Sequence, residues 1–126
     1  MKRIIKTSAA PAPIGPYNQA VLANGTLYIS GQIALDPVGG NLVMDSIEAE
    51  AHQVMKNLAA ILAEAGMNFS DVVKTSIFLL DMNNFAAVNE VYGSYFSSDF
   101  PARETVQVSC LPKQVNVEIS MIAVSN

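Results

Sequence analysis

The sequence predicts an α+β fold: a mixed β-sheet of about six strands with two helices packed on one face. Three observations lead there. Apolar residues recur at helical spacing in two stretches and at strand spacing in several others. The stretches come in the order β-β-β-α-β-α-β-β. Two helices cannot cover both faces of such a sheet, so they pack on one. The length, 126 residues, fits a single domain spanning 1–126 with one core.

A short first strand is expected over residues 3–7. The stretch 9–16, holding Pro11, Pro13 and Pro16, is then a rigid connector. Residues 19–33 read as a hairpin, because both positions of Asn24-Gly25 tolerate positive φ. Asp36-Pro37-Val38-Gly39-Gly40-Asn41 is a second turn region. The clearest helix spans residues 46–65, where Ile47, Ala51, Val54, Met55, Leu58, Ile61, Leu62 and Ala65 keep helical spacing. Asp45 with Glu48 reads as its capping box and Gly66 as its C′ residue. A second helix is expected over residues 85–97, with Asn84 as cap and Phe85, Val88, Tyr92, Tyr95 and Phe96 on or near one face. Strands over 72–80, 103–108 and 115–124 complete the set.

Alternation divides these strands between two faces. One is apolar and belongs under the helices: Leu27, Ile29, Ile33, Val73, Ile77, Leu79, Val106, Val108, Val115, Val117, Ile119 and Met121. The other is mixed: Tyr28, Ser30, Gln32, Lys74, Ser76, Phe78, Leu80, Arg103, Thr105, Gln107, Asn116, Glu118, Ser120 and Ile122. It is too apolar for free solvent and too polar for a dry core. A subunit interface with sites built into it explains such a face, and a closed ring would also cover the sheet edges.

Composition points the same way. The chain is 51% hydrophobic and 14% charged, lean in charge for a domain of this size. Net charge is −4 and the pI about 4.7, with the seven basic residues scattered. A nucleic-acid binder needs a basic stripe, and none is visible, so nucleic acid is not an expected partner. The lone Cys110 excludes an intramolecular disulfide framework and fits a reducing, cytoplasmic compartment. The basic start (Lys2, Arg3, Lys6) lacks the apolar stretch of a signal peptide. No apolar run approaches the roughly 20 residues of a membrane helix, so no membrane partner is expected.

Two charged residues stand out. Arg103, one of only two arginines, opens a strand on the face assigned as mixed. A guanidinium keeps its charge there and needs an anionic partner, and its planar fork suits a carboxylate. The competing reading is an ion pair within its own chain, with Glu118 as candidate partner. Glu118 sits mid-strand between Val117 and Ile119, where burial would raise its pKa and suit it to general acid or base work. The competing reading is a glutamate facing water from an edge strand. The only histidine, His52, shares a solvated helix face with Glu48 and Lys56. No His or Cys cluster exists for a triad or a metal site. Cys110 reads as a packed small residue, and Gly39-Gly40 as a turn with no phosphate-binding context. In Ser30-Gly31-Gln32 the glycine marks either a close ligand approach or a bulge.

Taken together these motifs resemble the Rid (YjgF-like) family in order and spacing. The matching segments are Ile14-Gly15-Pro16-Tyr17, Ser30-Gly31-Gln32-Ile33, Val73-Lys74-Thr75, Phe85 with Asn89 and Tyr92, Phe100-Pro101-Ala102-Arg103, Leu111-Pro112-Lys113 and Val117-Glu118-Ile119. The resemblance covers essentially the whole chain. It implies a chorismate-mutase-like fold and a homotrimer with active sites between subunits. It implies hydrolysis of 2-aminoacrylate, 2-aminocrotonate and their imine tautomers, which PLP-dependent dehydratases release, to 2-keto acids. No cofactor or metal is implied. Arg103 would bind the substrate carboxylate. Glu118 would activate water and protonate the leaving nitrogen. Tyr17 would close the pocket from a neighbouring subunit, Ser30, Gly31 and Asn89 would line it, and the backbone around Thr105 would hold water or substrate. Several members have cysteine at the place of Thr105, and some have a second glutamate where this chain has Ser120. Two other functions fit the same family: a non-catalytic trimer that binds 2-keto acids, and an RNA-directed, translation-inhibiting activity, against which the acidic pI weighs.

Overall fold

The computed structural model describes residues 1–125. Its strands are β1 (Lys2–Ile5), β2 (Ala20–Ala23), β3 (Thr26–Gln32), β4 (Val72–Leu79), β5 (Ala102–Gln107) and β6 (Val117–Val124), and its helices are α1 (Ile47–Glu64) and α2 (Phe85–Gly93). The strands form one mixed sheet in the order β1-β2-β3-β6-β4-β5. Every pair is antiparallel except β4–β5, whose crossover is α2. Both helices lie on one face, as the sequence predicts. Asn24 and Gly25 make the two-residue turn between β2 and β3 with φ of 52° and 78°.

The core lies between α1 and the sheet. Val54, Met55, Leu58, Ile61 and Leu62 of α1 are fully buried, as are Leu27, Ile77, Leu79, Ile119 and Met121 of the strands beneath. Each large aliphatic side chain buried this way contributes about 1.5–3 kcal/mol. Ser46, not Asp45, caps α1: its side chain accepts from the Ala49 N–H at 3.0 Å. Gly66 follows the helix at φ 74°, the expected left-handed C′ position. Glu50 interrupts the apolar stripe yet is fully buried, because its carboxylate accepts from the backbone N–H of Asn116 (2.8 Å) and Val117 (3.2 Å) and from the Asn116 side chain (2.8 Å). A sole charge on an apolar helix stripe was the sequence signal for this tie between α1 and β6.

The second helix is shorter than its periodicity suggests. Past Gly93 the chain tightens: the Tyr95 and Phe96 N–H groups bond three residues back, to Tyr92 and Gly93. This turns Tyr95 and Phe96 onto Phe69, with ring centroids 5.5 and 5.4 Å from it. Asn84 makes no side-chain cap; Asp81 instead caps the 3-10 turn Met82–Asn84 that leads into α2.

Three strand residues or groups lie on the face opposite to the one alternation assigns. A register shift at Val72/Lys74 turns Val72 inward and leaves Val73 48% exposed. A second shift, between Ile29 and Gln32, turns Gln32 inward opposite Ile119. In β5 the whole assignment reverses. Arg103 and Thr105 pair with the buried Thr75 and Ile77, on the helix side, and Val106 pairs with Phe78 on the open side, 41% exposed. The reason is the strand's position. β5 is the sheet edge, where neither face is fully covered, so hydrophobicity does not decide which side faces the helices.

Candidate functional site

Two clefts hold the residues assigned to the site from sequence, except Thr105, and they open on opposite faces of the sheet. The first is on the open face. Ile29 pairs with Met121 and Gln32 with Ile119, so β3 carries one extra residue at Ser30-Gly31. The bulge reading of that glycine holds, and a side chain of the same chain approaches it closely. The visitor is Glu118 of β6. A Cβ on Gly31 would stand 2.8 Å from the Glu118 Cδ and 3.0 Å from its Cγ. No other residue type leaves room for the carboxyl there. Burial raises the Glu118 carboxyl above the ordinary carboxylate range. Among the described residues the only salt bridge joins Lys74 to Glu104, at 3.0 Å, so no cation of this chain offsets that burial.

The cavity over Glu118 has a volume of about 380 Å³. Its roof is the proline strap, through Pro11, Ala12, Ile14 and Tyr17, with Pro112 at one side. Gln19 holds the strap. Its amide donates to the carbonyls of Thr7 (3.0 Å), Ala10 (3.2 Å) and Pro11 (2.8 Å), and its oxygen accepts from the Thr7 N–H at 2.7 Å. Ser30 donates its hydroxyl to the Asn18 carbonyl at 2.6 Å, which fixes the strap's exit. Tyr17 is 47% exposed at the mouth, its hydroxyl accepting from the Ile14 N–H at 3.3 Å. Gln19 and Pro112 are the residues the chemical reading of the sequence did not single out. A polar residue ending a proline-rich run was the available signal for the first.

The second cleft, of about 360 Å³, lies on the helix side at the sheet edge and is lined by Asn89, Tyr92, Gly93, Phe100, Pro101 and Arg103. The Arg103 guanidinium carbon lies 5.1 Å from the Tyr92 ring centroid and 5.8 Å from that of Phe85. Such stacking suits a weakly hydrated planar cation. Arg103 has no carboxylate partner among the described residues. Two residues on, the Thr105 Oγ1 is buried with no hydrogen-bond partner. Tyr92 is buried, and that burial raises its hydroxyl pKa, opposed in part by a bond to Thr75 and by the Arg103 charge.

Tyr17, Ser30, Gly31 and Glu118 therefore meet in one cleft, and Asn89 and Arg103 in the other, with Thr105 on the Arg103 side. The structure does not bring Arg103 and Glu118 together within one chain. This also removes the intra-chain pair weighed above. His52 is exposed, with Nδ1 2.8 Å from the Tyr95 hydroxyl. Cys110 is exposed, not packed. Among the described residues no three His, Cys, Asp or Glu side chains are grouped as for a metal ion, and no helix is long and apolar enough to cross a membrane.

Comparison with known proteins bears on the family and the fold. A family model described as endoribonuclease L-PSP matches residues 7–125. The human 2-iminobutanoate/2-iminopropanoate deaminase is 50% identical over 124 residues, covering 98% of this chain and 90% of the human protein. A crystal structure of a Rid-family protein of unknown function from Yersinia pestis superposes with a TM-score of 0.97 at 48% identity, covering 99% of this chain and 100% of that one. TdcF of E. coli, solved with bound serine, gives a TM-score of 0.94 at 38% identity over 98% of this chain and 99% of its own.

Proposed function

The chain belongs to the Rid (endoribonuclease L-PSP) family, and on that premise we propose that it is a deaminase that hydrolyses small 2-imino acids and their 2-enamino tautomers to 2-keto acids and ammonia. 2-Iminobutanoate and 2-iminopropanoate, the substrates in its relatives' names, are the proposed pair. The observation that carries the roles is the separation of charges. An unpaired guanidinium lies on one face and a half-buried, pKa-raised carboxyl on the other. A working site needs both, so it forms where the Arg103 cleft of one protomer meets the Glu118 cavity of its partner. The open face supports such an assembly, since Tyr28 and Val106 stand exposed on it. A homotrimer closes this contact into a ring without leaving a sheet edge free.

In that composite site Arg103 takes the substrate carboxylate in its fork, and the encounter becomes effectively unimolecular. The backbone of the β5 edge at Thr105 and the side chain of Asn89 steady the same end. Glu118, as carboxylate, removes a proton from water as its oxygen adds to the imine carbon. As the acid so formed, it returns that proton to nitrogen to give the carbinolamine. Glu118 then carries the remaining hydroxyl proton to nitrogen, so that C=O forms as the C–N bond breaks, releasing the keto acid and ammonia. General acid-base assistance of this kind is worth about 10²–10⁴-fold. Tyr17 closes the mouth, and Ser30 and Gly31 shape the floor. Upstream, the partners are PLP-dependent dehydratases, which release enamines of serine and threonine type. The lone Cys110 suits a reducing cytoplasm. The test adds purified protein to such a dehydratase under conditions where free imine accumulates. Faster release of keto acid and ammonia is expected. Tight binding of 2-keto acid with no acceleration would reduce the protein to a ligand-binding trimer.

A further inference from the structure

We infer that Tyr92, locked by Thr75, is a positioning residue that aims Arg103. The inference rests on the proposed role of Arg103 as the carboxylate-binding group. Three residues form a closed triangle. Thr75 and Arg103 are direct neighbours across the β4–β5 pair. The Tyr92 hydroxyl donates to the Thr75 Oγ1 at 3.0 Å. The Tyr92 ring in turn lies under the guanidinium, 5.1 Å from its carbon. Thr75 is fully buried and Tyr92 nearly so.

Arg103 needs such support because among the described residues no carboxylate fixes its head, and Phe85 adds only a second ring face, 5.8 Å away. Arg103 also rises from an edge strand, and its long side chain has many rotamers to lose. The face of a tyrosine attracts a guanidinium but does not by itself choose where along the ring it sits. The hydroxyl supplies that choice. It anchors the ring to the residue beside Arg103, so ring and guanidinium share one reference point. A threonine here is otherwise costly: it places a hydroxyl in the sheet's apolar layer between Ile77 and the bulge at Val72, and Tyr92 is what satisfies it. The pair therefore reads as a device for preorganisation, since a site element held before binding loses less freedom on binding.

Three variants test this in the intact protein, with steady-state kinetics and with calorimetric titration of 2-oxobutanoate as the probe. Tyr92→Phe keeps the ring and removes the anchor. Losing one such hydrogen bond should raise both KM and Kd by about three- to tenfold. Because the carboxylate is held alike before and during reaction, kcat should stay within about twofold. Thr75→Val should give the same rise, the double variant no further rise, and Thr75→Ser, which keeps the hydroxyl, should recover most of the affinity. Arg103→Lys is the control. If it raises KM while Tyr92→Phe and Thr75→Val lower only the melting temperature, the pair is structural and the inference fails alone. If Arg103→Lys leaves KM unmoved, the carboxylate role of Arg103 falls, and the inference with it.

Discussion

Arg103 and Glu118 are the two charged groups of the proposed site, and the protein holds them in opposite ways. Arg103 is on the edge strand β5, on the helix side, with its charge laid on aromatic faces. Glu118 is on β6, in the middle of the sheet, on the open side, with its carboxyl pressed against a glycine. β4 lies between them, and the pairings Thr75–Arg103 and Phe78–Glu118 also set them three residues apart along it. Side by side on one face they would neutralise each other, and neither would be free for a substrate. The sheet keeps the cation uncommitted and the carboxyl proton-ready by placing itself between them. On the proposed function a single chain then carries two half-sites and no whole one.

Complementation tests the separation of the two groups most directly. Glu118→Gln should lose turnover by about 10²–10⁴-fold, and Arg103→Ala should lower kcat/KM by about 10–10²-fold through lost binding of the carboxylate. Mixed protomers of the two variants should regain activity, since an interface that takes Arg103 from one and Glu118 from the other is intact. Random mixing at equal amounts makes about one interface in four intact in a cyclic assembly. Recovery is read after subunits are dissociated and reassembled together. No recovery despite verified mixed oligomers would put both groups to work within one chain, against the strand register.

Gly31→Ala probes the Glu118 half. Its new Cβ meets the far end of a flexible side chain, with Cδ at 2.8 Å, so the carboxyl swings away and the fold persists. A displaced proton carrier should cost about tenfold or more in kcat with the melting temperature little changed. Wild-type kcat would show that the close approach does not position the carboxyl. Arg103→Lys probes the other half. It keeps the charge and loses the fork and the stacking, so KM should rise by about tenfold with kcat nearly kept. Equal KM for the two residues would mean that a point charge suffices.

How legible the site was in the sequence differs between the halves for the same physical reason. Central strands carry strong alternation, because one face is buried under α1. Val117, Ile119 and Met121 therefore place Glu118 on the open face without ambiguity. At the β5 edge, alternation separates Arg103, Thr105 and Gln107 from Val106 and Val108 but cannot say which set faces the helices. The apolar set took the open side. The hairpin at Asn24-Gly25 and the long helix were legible because each rests on local chemistry. The bulge at Val72 was not, since an extra residue in one strand is defined only by its partner; at Gly31 a glycine within a strand left a bulge as one of two readings. Tyr92 was visible as a helix-face aromatic, but its bond to Thr75 depends on a pairing across the crossover.

Stability also distinguishes the two halves, through the carboxyl of Glu118. The folded state holds the Glu118 pKa above its unfolded value, with desolvation as the cause. Ionisation is therefore unfavourable to folding: the contribution of Glu118 is most favourable below the unfolded carboxylate pKa, near 4.3, and is lost as pH rises through the raised folded value. At neutral pH the wild type carries that penalty, and Glu118→Gln does not. The variant should melt above the wild type at neutral pH, by no more than about 1 kcal/mol since half-exposed charge is screened by solvent. The gap should close as pH falls toward the unfolded carboxylate range. The same raised pKa places the acid limb of wild-type kcat/KM above the pH at which a free carboxylate titrates. Arg103→Lys, charged throughout, should show no such pH-dependent gap. A Glu118→Gln variant that melts below the wild type at neutral pH, or whose difference ignores pH, would mean that the carboxylate is stabilised in its cavity rather than strained there. Glu118 would then be a poor carrier of protons between water and nitrogen.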